Sequence, residues 1–313
     1  MTIRVHKSTD ASAPVLSGTV AALNALLQAC LVDGFGANIA LGWTRPYYDA
    51  PSNVAVFLQG GASPAYLQID DNGSGAALGK EARAAGYESM TAYNVGTDRF
   101  PLTFSTANAY TIRKSNALDA SPRNWTLIGD DRRFLLAIEN GDAASTSSIF
   151  WFGDLKSYKA ADAYHRYITG RGVENSALMT STQEQFIALN TLLYPQNNGH
   201  IMRSWSGATK SAQCGKFTDA TKIRQYYYHS AGTIGLPYPD PVGNALWFQR
   251  LWINEAQDIR GEVPGVWIPL HARPLGNGDT FSSVPELPGR SFQAINTADT
   301  GQIFIETSNT WDI

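Results

Sequence analysis

Hydrophobic and polar positions divide this chain into one helical stretch followed by a long series of strand-like segments. Val20, Leu23, Leu27, Cys30 and Leu31 recur at helical spacing and predict an amphipathic helix. Ser17 or Thr19 is expected to cap its start, and Asp33-Gly34 to stop it. Residues 2–6 alternate as a short strand ahead of it. Residues 53–59 and 65–70 read as two strands around a Gly/Ser/Pro turn. Residues 110–114, 125–129 and 133–139 follow, the last two joined by a hairpin at Asp130-Asp131. Residues 148–152 form an apolar strand ended by Gly153-Asp154. Ser157 is then expected to cap a short helix carrying Ala160, Tyr164 and Ile168. Further strands are predicted at 200–205, 245–254, 265–270, 291–296 and 302–307, separated by turns such as Asn277-Gly278-Asp279.

These elements predict an α+β, mainly β fold: antiparallel sheets with an N-terminal helix and few short helices. Residues 169–183 are small and polar. They suggest an N-terminal α+β unit over 1–170 and a C-terminal β-rich unit over 171–313, with a long surface loop inside one domain as the equal alternative. No fixed-period repeat and no heptad run is present, which argues against a solenoid, propeller or coiled-coil shaft.

Composition adds a constraint on surface and partners. Charged residues make up 16% of the chain, against about 25% in ordinary soluble domains. Aromatics make up 11%. A low-charge, aromatic-rich surface suits a subunit that buries much of itself against neighbours, although a β-rich protein with large turns has the same composition. The net charge of −3 and the lack of a Lys/Arg run argue against nucleic-acid binding. The two cysteines, Cys30 and Cys214, form no disulfide framework, so assembly in a reducing cytoplasm is expected. There is no hydrophobic signal core at the N-terminus, and no apolar run reaches the roughly 18 residues needed for a membrane span.

Candidate chemistry is sparse. Asp70, Asn72, Ser74 and Glu81 match positions one, three, five and twelve of a calcium loop, with Gly75 at six. A hard cation wants such oxygens from one tight loop, but Ser74 replaces the usual Asp or Asn and a strand precedes the loop, so a polar turn between strands is the favoured reading and calcium the weaker one. The five histidines lack zinc spacing. His165 is expected on the short helix in a surface or capping role, and His271 in a local bond to the backbone. Asp130-Asp131 reads as turn chemistry rather than as half of a carboxylate pair. No nucleophile elbow, Walker loop or dinucleotide fingerprint appears. The aromatics remain: the triplet Tyr226, Tyr227 and Tyr228, then Trp247, Trp252 and Trp267. Alternation puts Phe248 and Trp252 on one strand face and Trp247 on the other. Such rings serve core packing, subunit interfaces or stacking on sugars.

Several segments together resemble a family of tailed-bacteriophage virion structural proteins. They are residues 6–19 (His-Lys-Ser-Thr-Asp-Ala through Ser-Gly-Thr), 69–75, 86–90 (Gly-Tyr-Glu-Ser-Met), 152–154 with 157–159, and the C-terminal run from Arg260 to Trp311. The resemblance covers most of the chain. It implies a non-enzymatic component of the tail, neck or baseplate, assembled in the host cytoplasm into the virion as a homo-oligomer or against other virion proteins. It carries no catalytic residues and no cofactor. The alternative on the same particle is a receptor- or glycan-binding module facing a host surface glycan, at the tail tip or head surface.

Overall fold

The computed structural model describes residues 2–61, 64–73, 78–102, 110–141, 147–170, 199–217, 238–239, 243–255, 258–271, 274–282, 284, 286–297, 302–308 and 310–311. The fold is mainly β and antiparallel, with one short α-helix.

A smaller sheet holds β2 (Thr44–Asp49), β3 (Val54–Leu58), β4 (Tyr66–Asp70), β5 (Glu81–Ala92) and β6 (Val95–Phe100) in sequence order, and β7 (Tyr110–Arg113) pairs with the first half of β5. The larger sheet begins with β1 (Arg4–Lys7), then β8 (Asn124–Gly129), β9 (Arg133–Glu139), β10 (Ser148–Asp154), β12 (Arg166–Thr169), β13 (Gly199–Arg203) and β14 (Lys210–Phe217). It continues through β15 (Phe248–Glu255), β16 (Asp258–Pro269), β19 (Gln302–Glu306), β18 (Ser291–Asn296) and β17 (Thr280–Ser282). The two-residue β11 (Lys156–Ser157) pairs with β16. Because β12 pairs with β13 and β11 with β16, the large sheet is continuous across position 170, where the sequence suggested a boundary. Residues 171–198 lie outside the described set.

Side-chain parity makes this a three-layer molecule. Phe134, Leu136, Ile138, Phe150 and Phe152 point toward the small sheet and meet Phe57, Leu67, Ile69 and Phe100. Their neighbours Leu135, Ala137, Ile149 and Trp151 point the other way and meet Leu251, Ile253, Val266, Ile303 and Ile305 from the far half of the large sheet. β9 and β10 are therefore apolar on both faces, which is why they read as continuous hydrophobic runs. On the outer face of the far half, Phe248 sits among Trp267, Phe281, Phe292 and Phe304, mostly edge to face at 5.4–6.1 Å.

One arginine stands inside this middle layer. Arg133 is fully buried, with Nε donating to Asp130 Oδ2 at 3.2 Å and Nη1 to the Asp154 carbonyl at 3.3 Å. It lies between two glycines that have no room for a side chain. A Cβ on Gly153 (φ +140°) would sit 2.3 Å from Arg133 Cβ, and one on Gly129 would sit 2.2 Å from the Arg133 carbonyl oxygen.

Two local expectations need correction. The helix α1 (Ala22–Leu27) is short and passes into a π-helical turn at Gln28–Asp33, stopping at Gly34. Leu23, Leu27, Cys30 and Leu31 are buried as expected, but Val20 is 42% exposed. Neither Ser17 nor Thr19 caps the helix; their hydroxyls bond each other at 2.9 Å. Asp71 does the capping from the end of β4, accepting the Leu23 N–H at 2.8 Å and the Asn24 N–H at 3.4 Å. The second correction is the helix expected after Ser157. The chain there turns, and Tyr164 and Ile168 belong to a turn and to β12. The Asp162 carboxylate, held by Arg260 and the Ser157 hydroxyl, fixes that turn.

Candidate functional site

The predicted site residues are dispersed. Tyr226, Tyr227, Tyr228 and Ser74 lie outside the described residues. Asp70 accepts the Asn72 N–H at 3.2 Å in a side-chain turn, and Glu81 faces Arg113 at 3.2 Å. Asp71, within the same segment, is given over to the α1 N-terminus and to the buried ammonium of Lys114. Among the described residues, no three His, Cys, Asp or Glu side chains converge as metal ligands. Both cysteines are buried free thiols, and burial raises the Cys214 thiol to about 12.

The tryptophans divide between core and surface. Trp267 is buried in the outer aromatic cluster. Trp252 is half-buried and shares the outer face with Phe248 and Arg250, while Leu251 and Ile253 point inward. Trp247 is exposed just ahead of β15; its backbone N–H donates to His271 Nε2 at 2.8 Å, a backbone bond to that histidine from 24 residues away instead of the local one expected. His165 caps no helix. Its Nε2 lies 3.3 Å from Asp154, where Arg166 also binds at 3.2 Å. Burial alone would raise the Asp154 carboxyl, but the His165 hydrogen bond and the arginine charges outweigh it and hold it below its ordinary value.

What the structure does assemble is a surface cleft that the sequence did not reveal. Tyr158, Trp205 and Ile259 are 52%, 56% and 45% exposed and border a hollow of about 230 Å³, with Lys159 and Asp258 at its rim. Three separate segments supply these residues: the turn after β11, the β13–β14 connection and the start of β16. A buried ion network underlies the cleft. Arg260 clamps both oxygens of Asp162 at 2.7 and 2.8 Å and reaches Glu255 at 2.5 Å. Glu255 in turn accepts the backbone N–H of Trp205. Burial would raise the Asp162 carboxyl, yet the bonds from Ser157, Tyr164 and Arg260 bring it below its ordinary value, so it stays charged at neutral pH.

The rings are thus held from behind. Lys159 binds the Trp205 carbonyl and lies 5.9 Å from the Trp205 ring. The Tyr158 hydroxyl donates to Glu262 at 2.8 Å and accepts from Trp252 Nε1 at 3.2 Å. Large rings at the surface, with Trp205 anchored through its main chain, Tyr158 through its hydroxyl and a charged rim beside them, have the character of a binding hot spot.

No family model and no curated protein matches the chain.

Proposed function

We propose that the protein is a non-enzymatic structural component of a tailed-phage virion, assembled in the host cytoplasm and joined to copies of itself or to neighbouring tail, neck or baseplate proteins. The resemblance across the chain motivates this reading. The observation that carries it is the Tyr158–Trp205–Ile259 cleft, because clustered exposed aromatics on an anchored main chain favour a subunit contact over open solvent. Continuous sheets and buried ion pairs suit a rigid part.

The test is cryo-electron microscopy of the purified virion. Density for the chain in tail, neck or baseplate, with Trp205 covered by another subunit, is the expected result. Absence of the chain from the particle overturns it.

The same rings favour one second reading, a glycan-binding module displayed on the particle. A ring pair around a shallow hollow can stack on a pyranose face, with Asp258 and Lys159 reaching its hydroxyls. Chain density at an exposed tip with Trp205 open to solvent, together with binding of host polysaccharide, selects this reading instead.

A further inference from the structure

A second hollow, of about 160 Å³, opens at the mouth between the two halves of the large sheet. One wall is the face of β1, β8 and β9 that carries Lys7, Thr126 and Glu139, which the register places side by side: Lys7 opposite Thr126, and Glu139 opposite Asn124. The other wall is the inward face of β18 with Gln293, and the turn at Asn277. We propose that this hollow is a binding site for a neutral polyhydroxylated ligand, a single saccharide unit.

The lining has the chemistry for it. The two charges offset each other, Lys7 against Glu139, without forming a salt bridge, so a charged ligand would gain no net compensation for its desolvation. The Glu139 carboxylate is fixed by two amides, Asn277 Nδ2 at 2.5 Å and Asn124 Nδ2 at 3.0 Å, and keeps lone pairs for a further donor. The Lys7 ammonium has no hydrogen-bond partner among the described residues and offers donors. Gln293 is only 5% exposed, and its side-chain oxygen has no partner among the described residues. A ligand hydroxyl at this wall would give that acceptor the donor it lacks. A sugar hydroxyl both donates and accepts, which matches a wall of fixed acceptors beside a free ammonium. Ala137 and Ile295 give the ring an apolar floor. This site is independent of the aromatic cleft and of the virion reading.

The experiment is ligand-observed NMR and calorimetry on the full chain with glucose, galactose and N-acetylglucosamine, and with glycine and inorganic phosphate as charged probes. Saturable binding of at least one sugar is expected, weakened about tenfold or more by Lys7→Met and by Gln293→Leu, as loss of one good hydrogen bond implies. Circular dichroism checks folding; if Gln293→Leu unfolds, Lys7→Met at the rim decides alone. No saturable sugar binding, sugar binding that the folded variants leave unchanged, or binding of glycine or phosphate only, each overturns the proposal.

Discussion

Both oxygens of the Glu255 carboxylate lie within hydrogen-bond distance of the single backbone N–H of Trp205, at 2.9 and 3.1 Å. A buried acid thus fixes the main chain that carries an exposed ring. Its own charge is balanced by Arg260, so the surface feature and the buried network behave as one unit.

Arg260→Met should separate these two roles. It leaves Asp162 and Glu255 buried without their common cation, and breaking such a pair costs about 3–5 kcal/mol. The urea midpoint should fall with little change in slope. Trp205→Ala, which removes only an exposed ring, should leave the midpoint almost unchanged and act on partner binding alone.

The Lys114–Asp71 pair offers a double-mutant test. Both side chains are fully buried. Burial pushes each toward its neutral form, while their attraction and the helix N–H groups favour the charged one. Asp71→Ala removes the cap of α1 and strands an ammonium, for an expected loss of about 3–5 kcal/mol. In the double variant with Lys114→Met the loss should be smaller than the sum of the single losses, read from denaturant unfolding.

Acid should weaken the fold in a window that His200 helps to define. Its ring stands 2.7 Å from the Tyr110 hydroxyl, and burial lowers it from 6.5 to about 4. The native state therefore takes up this proton later than the unfolded chain does. The stability this contributes is complete above pH 6.5 and is lost as pH falls toward about 4. His200→Gln should flatten the stability profile across that interval. Asp154 and Asp162, both held low, lose their contributions as pH falls further, through their folded values.

Calcium should have little effect. The Glu81 carboxylate faces Arg113, and Asp70 accepts from the Asn72 backbone. Adding calcium or a chelator is expected to leave the melting temperature unchanged. A rise of several degrees with calcium, lost in Glu81→Gln, would restore the loop as a metal site.

Where a strand carried its own signal, the sequence was readable. The hairpin at Asp130-Asp131 and the apolar runs of β9 and β10 follow from turn chemistry and hydrophobicity alone. β5 was missed because Glu-Ala-Arg-Ala-Ala-Gly favours helix locally, and only pairing with β4, β6 and β7 overrides that preference. Ala160, Tyr164 and Ile168 imitate helical spacing, but the turn there is held by Arg260, 98 residues away from Asp162. The cap of α1 comes from Asp71, 48 residues from Leu23. The aromatic cleft was invisible for the same reason: Tyr158, Trp205 and Ile259 are ordinary residues until three distant segments bring them together.

The middle layer raises a question of alignment. In a strand with one dry and one wet face, slipping by a single residue turns every apolar group into water, and hydrophobicity enforces the pairing. β9 and β10 have no wet face, so such a slip would swap one apolar side chain for another and pass nearly unpenalised. The discrimination falls to Arg133. Only one offset puts the gaps at Gly129 and Gly153 around its stem and brings its guanidinium to Asp130 and the Asp154 carbonyl. The most apolar part of the molecule is therefore proofread by a charge.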